Sequence, residues 1–228
     1  MIMVEFHEYF VIVKKTVRGL EVHGCVTRDL AHSEFRVPHT SVNLVPVFQN
    51  TNEVLIHKRS QKRRISPGKL DFGGGHVNFE PALLGGPESL WVGVEKTALR
   101  EAREEIWITV KDRPYIISME HILNFTELGE LTTGLDNPTS KNVEFSTGFI
   151  VSLPANAEIL VMDEEETLSH EKLDLKELLR MFQLEPDNFA DGASRILSKL
   201  QDPHSKVYKK FMDVLNNKRP GRLSQNSV

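Results

Sequence analysis

The stretch Arg100-Glu101-Ala102-Arg103-Glu104-Glu105 constrains this chain more than any other part of it. On a helix, Glu101, Glu104 and Glu105 stand at i, i+3 and i+4 and project from one side. Carboxylates so placed repel one another, and a divalent cation seated among them removes the repulsion. Upstream lies a glycine cluster, Gly73-Gly74-Gly75, followed by His76 and Val77. A glycine turn feeding an acidic helix points to chemistry on phosphates. The competing reading is a solvated helix face carrying ordinary intrahelical Arg–Glu pairs.

The surrounding pattern alternates strands and helices. Glu8 to Lys15 and Gly19 to Arg28 are rich in Val, Ile and Phe and read as paired strands. Ser41 to Gln49 is a buried strand, and Asn50-Thr51-Asn52 turns it into a partner at Glu53 to Ser60. Gln61 to Gly68 is a basic loop closed by Pro67-Gly68. Pro87 to Ile106 carries Val92, Leu99, Ala102 and Ile106 at helical spacing, which places an apolar face away from the carboxylates. Strands near Ile116 to Phe125 and Glu144 to Leu153 flank a loop from Gly129 to Lys141. Three helices follow: Asp174 to Phe182, opened by a capping-box-like Asp174 and Glu177, then Ala190 to Gln201 and Ser205 to Asn216. The sum is an α+β fold of strands flanked by helices.

Arg100 to Glu105 resembles the second half of the Nudix hydrolase signature. That signature is a Gly, five residues, a Glu, seven residues, then Arg-Glu-apolar-any-Glu-Glu-any-Gly-apolar. Ala102 and Ile108 fill the apolar positions, and Gly75-His76-Val77 is similar to the glycine turn that opens the box. Two departures stand out. Trp107 replaces the usual Gly, and the spacing from Gly75 to Arg100 is 25 instead of 14, an insertion within Phe79 to Val94. The first signature Glu is either Glu88, in Gly86-Pro87-Glu88-Ser89, or Glu80. Strict spacing would start the box at Gly86 and place Val92 there, which cannot act as a carboxylate.

The resemblance extends to the branch that includes isopentenyl-diphosphate isomerase, through Arg59-Ser60, Lys62-Arg63-Arg64, Pro67-Gly68, Gly75-His76-Val77 and the segment Leu173 to Leu197. It implies a Nudix-type α/β/α sandwich with a mixed sheet, extra N-terminal strands and C-terminal helices. Residues 1–40 would be strands packed on the core, 41–217 the Nudix domain, and 218–228 a flexible tail. The isomerase uses a cysteine just before the Gly-His turn, and Gly74 holds that place here. Cys25 lies elsewhere and reads as a buried strand residue. Hydrolysis is therefore favoured over isomerisation, with a non-catalytic nucleotide- or protein-binding module as the third class.

The resemblance also implies roles. Glu101, Glu104 and Glu105 would hold Mg²⁺, with Mn²⁺ as a substitute, and Glu101 and Glu104 would take part in catalysis. Arg100 would orient a box carboxylate, Glu88 or Glu80, and Gly75 would open the box. A base or extra ligand is expected outside the box, Glu144 first and Glu164, Glu165 or Glu166 second. Arg59 and Arg63 would grip the diphosphate, and His76 has a structural or substrate-orienting role in the glycine turn. His23, His32 and His39 fit no strong metal template and read as ordinary histidines. The substrate class is a nucleoside diphosphate derivative such as ADP-ribose, a nucleotide sugar or a damaged nucleoside triphosphate.

Composition sets the outer limits. A net charge of -4 and pI near 6.2 argue against a broad nucleic-acid-binding face. A single cysteine excludes an intrachain disulfide and fits a reducing compartment. No apolar run suggests a membrane span, so a cytoplasmic protein acting on a small diphosphate is the expectation, with a homodimer as the default assembly.

Overall fold

A computed structural model of the chain describes residues 8–17, 19–33, 35–63, 65–134, 142–160 and 167–216. β1 (Tyr9–Thr16) and β2 (Gly19–Thr27) form an antiparallel hairpin, and α1 (Arg28–Ala31) leads to β3 (His39–Phe48). β4 (Glu53–Arg59), β5 (Leu70–Asp71) and β6 (Gly73–His76) follow. A 3-10 turn at Pro81–Gly85 then enters the long helix α2 (Pro87–Glu105). After it come β7 (Ile108–Val110), β8 (Arg113–Pro114), β9 (Ile122–Asn124), β10 (Leu131–Thr133), β11 (Glu144–Leu153), β12 (Glu158–Ile159) and β13 (Thr167–Asp174). The described chain closes with α3 (Leu175–Leu184), α4 (Asp191–Leu200) and α5 (Lys206–Leu215).

β3 is the spine of the sheet. All its residues are buried, as expected of a strand covered on both faces. β11 runs parallel to it, in register from Glu144 opposite His39 to Leu153 opposite Phe48. β6 lies antiparallel on the other edge, with Ser41 opposite His76 and Leu44 opposite Gly73. β1 meets β3 at Ile12 and His39, which ties the N-terminal hairpin to the same sheet. β13 pairs along β4, while β7, β8 and β12 make a separate small sheet.

Period-two alternation divides the apolar residues between two layers. Val42, Leu44, Phe149 and Val151 pack with α2 residues Leu90, Val94, Ala98 and Ala102. Val45, Val47 and Ile150 pack with Leu178, Phe182, Ile196, Leu197 and Phe211 of the C-terminal helices. Each large aliphatic side chain buried this way contributes roughly 1.5–3 kcal/mol relative to exposure. Helices thus cover both faces of a mixed sheet. Asp174 caps α3 by accepting from the Lys176 N–H at 2.8 Å, and Ser205 caps α5 through the Tyr208 N–H.

Several expectations need correction. The buried face of α2 runs through Leu90, Gly93, Val94, Thr97, Ala98, Glu101 and Ala102, while Val92 is exposed. Glu101 therefore belongs to the buried face instead of opposing it, because the glycine strand leaves room for a carboxylate there. The glycine segment is itself a strand, β6, and not only a turn. The strand expected from Ile116 shrinks to Ile122–Asn124, preceded by a 3-10 turn at Met119–His121. Cys25 is on a strand but exposed. The supposed tail at 218–228 lies outside the described residues. No helix among the described residues is long and apolar enough to cross a membrane.

Candidate active site

α2 presses its acidic face onto the glycine strand. A side chain on Gly75 would overlap the Glu101 carboxylate, so glycine there is what lets Glu101 approach the sheet. Glu105 Oε2 accepts the Gly74 N–H at 2.7 Å. Arg100 ties the cluster together: it meets Glu101 Oε1 at 2.6 Å and Glu104 Oε2 at 2.9 Å, and donates to the His76 carbonyl at 3.3 Å. Arg100 thus contacts the carboxylates of Glu101 and Glu104, in place of the expected Glu88 or Glu80. Both of the latter are exposed, and Glu88 sits in the first turn of α2, about 18 Å along the axis from Arg100 at 1.5 Å per residue. Burial raises the Glu101 carboxyl above the usual range, against the opposing effect of Arg100.

A second cluster adjoins the first through His76. His32 follows α1, His39 begins β3 and His76 ends β6, and one ring nitrogen from each lies within 4.8 Å of the others. This is the one such group of potential metal ligands among the described residues. Phe10 stacks on His76 at 4.0 Å between ring centroids and braces the set. The His39 Nδ1 lies 2.8 Å from the Val37 carbonyl, which assigns the proton to Nδ1 and leaves Nε2 with a lone pair. That Nε2 lies 3.8 Å from Glu144 Oε1, and the His76 Nε2 lies 3.5 Å from the same oxygen. Neither nitrogen has a hydrogen-bond partner among the described residues, although both are buried. Burial pushes His39 down to about 4 and lowers His32, so both are neutral at pH 7 and in the state that ligates metals. The His39 Nε2 lone pair facing a carboxylate is unfavourable without a cation between them, and the donor set fits one.

Glu144 is held from both sides. Oε2 accepts from Ser41 Oγ and Arg195 Nη1, each at 3.0 Å, and Oε1 accepts from Asn142 Nδ2 at 2.6 Å. Burial alone would raise its carboxyl, but His76 and Arg195 outweigh that and hold it well below the usual carboxylate range. The remaining candidates are Arg59 and Arg63. Arg59 pairs with Asp71 at 2.9 Å and donates to the Ile65 carbonyl, and Arg63 lies in the loop beyond β4. Burial, then His170, Arg59 and Arg63, push His57 down to about 3. His23 is exposed on β2 and takes no part in the cluster. Glu164, Glu165 and Glu166 lie outside the described residues.

Sequence reasoning set His32 and His39 aside, although the structure brings them together with His76. Their spacing matches no template because the convergence depends on three separate elements. Arg195 carried no signal at all, since its role depends on where α4 docks.

Some solved structures are similar to this one. The DR0079 protein from Deinococcus radiodurans shares 16% identity and superposes with a TM-score of 0.51, covering 84% of this chain and 98% of that one. A Nudix hydrolase from Alicyclobacillus acidocaldarius gives 15% identity, a TM-score of 0.47 and coverage of 71% and 90%. The MutT protein from Methanosarcina mazei gives 15%, 0.45 and coverage of 78% and 95%. No family model matches the sequence, and no curated protein matches it. The layered mixed sheet, the glycine strand and the acidic helix laid across it decide the architecture. The chain has a Nudix-type fold.

Within this Nudix-type fold the two departures from the signature have physical accounts. The inserted residues form the 3-10 turn Pro81–Gly85, whose Leu83 packs against Gly93 of α2. α2 ends at Glu105 and Ile106 is already extended, so Trp107 lies beyond the helix and is not among the residues with positive φ. Its carbonyl accepts the Leu160 N–H at 2.8 Å, which joins the segment after the helix to the small sheet.

The buried histidines of this Nudix-type fold predict an acid-sensitive stability. An imidazole whose pKa is lower folded than unfolded favours the native state fully above pH 6.5, and that contribution falls as pH drops toward the folded value near 4. His39 alone should cost about 2 kcal/mol between pH 7 and pH 5, with His57 acting in the same direction. Urea denaturation at the two pH values measures this, and equal midpoints would exclude it.

Proposed function

We propose that the chain is a divalent-metal-dependent pyrophosphohydrolase that cleaves the diphosphate linkage of a nucleoside diphosphate derivative. The observation that carries this reading is the position of His76, which joins the two clusters: its carbonyl accepts from Arg100, and its ring faces His39 and Glu144. The acidic helix and the histidine set therefore belong to one site.

Two ligand chemistries meet there. His32, His39, His76 and Glu144 Oε1 offer imidazole nitrogens and a carboxylate oxygen, which suit Mn²⁺ or Zn²⁺. Glu101, Glu104 and Glu105 are an oxygen-only set of the kind Mg²⁺ prefers, with Mn²⁺ as a substitute. A bound ion supplies Lewis-acid polarisation of phosphate oxygens and makes bound water more acidic. The chain's own residues do the rest. Glu101, with its raised pKa and its carboxylate fixed by Arg100, takes the proton from the attacking water. The water oxygen bonds to phosphorus, the bridging P–O bond breaks, and the leaving phosphate keeps the bridging oxygen. Glu144 stays ionised throughout as a ligand, and Arg63 offers guanidinium donors toward the outer phosphate, while Arg59 is paired with Asp71.

Isomerase chemistry is disfavoured by Gly74. Its φ of +147° and the nearby Val42 carbonyl leave no space for the side chain of an acid at that place. The test is release of mononucleotide from ADP-ribose, nucleotide sugars and nucleoside triphosphates, with Mg²⁺ or Mn²⁺, by wild type and Glu101→Gln. Metal-dependent release that falls about 100-fold or more in a folded variant is expected. No release from any compound would favour a module that binds without cleaving.

A further inference from the structure

We propose that Arg195, on α4, is a phosphate-binding residue of this site, holding Glu144 with one guanidinium nitrogen and presenting the other to a phosphate oxygen of the substrate. The assignment rests on the metal-dependent reading above and adds a residue from the C-terminal helices to it.

The guanidinium is only half used. Arg195 Nη1 donates to Glu144 Oε2 at 3.0 Å and to Ser146 Oγ at 2.7 Å, and Nε donates to the Asp191 carbonyl at 3.2 Å. Nη2 makes no hydrogen bond among the described residues, and it is not one of the buried atoms left without a partner. The side chain keeps 15% of its surface exposed, so the open donor faces solvent. Glu144 divides its oxygens between the two groups. Oε2 takes Arg195 while Oε1 faces His39 and His76, so the guanidinium and the candidate metal ligands meet on one carboxylate.

Charge balance gives that donor a task. The site concentrates carboxylates from Glu101, Glu104, Glu105 and Glu144, and a diphosphate brings further negative charge. Arg100 is committed to Glu101 and Glu104, and Arg59 to Asp71. Among the described residues Arg195 pairs with the carboxylate that faces the histidines and keeps Nη2 open, and a planar fork suits one carboxylate and one phosphate oxygen together.

The helix that carries it is fixed in place. Asp71 Oδ1 accepts the Ala193 N–H at 3.1 Å, and Asp71 Oδ2 holds Arg59, so the start of α4 is clamped to β4 and β5. A Cβ on Gly192 would come within 3.0 Å of Asn43 Oδ1 and 3.1 Å of Asp71 Oδ1, and its lack lets the helix sit this close to β3. Arg195 therefore reaches Glu144 from a rigid element, with little ordering cost on binding.

Calorimetric titration of the full chain tests this, first with Mn²⁺ alone and then with inorganic pyrophosphate at saturating Mn²⁺. Wild type, Arg195→Met and Arg195→Lys are compared, with thermal melts as a check on folding. In Arg195→Met, Mn²⁺ affinity should hold or tighten, since a neighbouring positive charge has been removed, while pyrophosphate affinity falls about 10-fold or more. Arg195→Lys keeps the charge without the fork and also preserves folding if the Met variant melts early. It should lie between the two. Unchanged pyrophosphate affinity in both variants overturns the proposal. So does weakened Mn²⁺ binding with normal pyrophosphate affinity once Mn²⁺ is saturating, because Arg195 would then only position Glu144. A wild-type chain that binds no Mn²⁺ rejects the metal-dependent reading itself, and this assignment with it.

Discussion

His39→Gln is expected to weaken Mn²⁺ or Zn²⁺ binding about 100-fold or more, and metal-dependent turnover with it. His39 is wholly buried, its Nδ1 is tied to the Val37 carbonyl, and its Nε2 faces Glu144 without a hydrogen-bond partner among the described residues. Glutamine has similar volume and retains a donor for Val37, so packing around Phe10 and His76 survives while the ligand nitrogen is lost. A chelator competition assay measures the effect. His23→Gln is the control, since His23 is exposed on β2 and should bind metal as wild type does. Wild-type affinity in His39→Gln would reject the histidine set as a metal site. The acid-linked loss of stability should also shrink in this variant, because the group whose pKa is depressed by burial is gone.

Patterns that depend on neighbouring residues could be read from the sequence, and arrangements that depend on docking could not. β3, β4, β11 and the C-terminal helices follow from apolar runs, turn residues and caps, and their observed bounds differ from expectation by a residue or two. The acidic helix was legible for the same reason, and Arg100 was expected to contact a carboxylate. Its partners were not legible. A one-dimensional signature sends Arg100 to an upstream glutamate, whereas the inserted 3-10 turn moves Glu88 to the far end of α2 and leaves Glu101 and Glu104 within reach. The histidine cluster was illegible because the parallel register of β3 and β11 brings Glu144 opposite His39, and the antiparallel register of β3 and β6 brings His76 beside them. β13 was missed because its residues are mostly half-buried or exposed and carry no apolar alternation.

Gly74→Ala should destabilise the fold by about 3–5 kcal/mol, far more than the same change at either neighbouring glycine. Gly74 has φ +147°, and a Cβ there would overlap the Val42 carbonyl and lie 3.1 Å from the Asn43 Cα. Both belong to the backbone of β3, which is buried throughout and cannot retreat. Relief would require β6 to leave β3, breaking the pairs from Ser41 with His76 to Leu44 with Gly73 and the Gly74 N–H bond to Glu105. At Gly73 the obstacle is the Glu105 carboxylate, the end of a flexible side chain, so alanine there should cost little stability. At Gly75 it is the Glu101 carboxylate, held by Arg100, and alanine should lower turnover more than stability. Urea melts of the three variants give the ranking. A Gly74→Ala protein as stable as wild type would mean that β6 is not packed on β3 as described, and the placement of Glu101, Glu105 and His76 would fall with it.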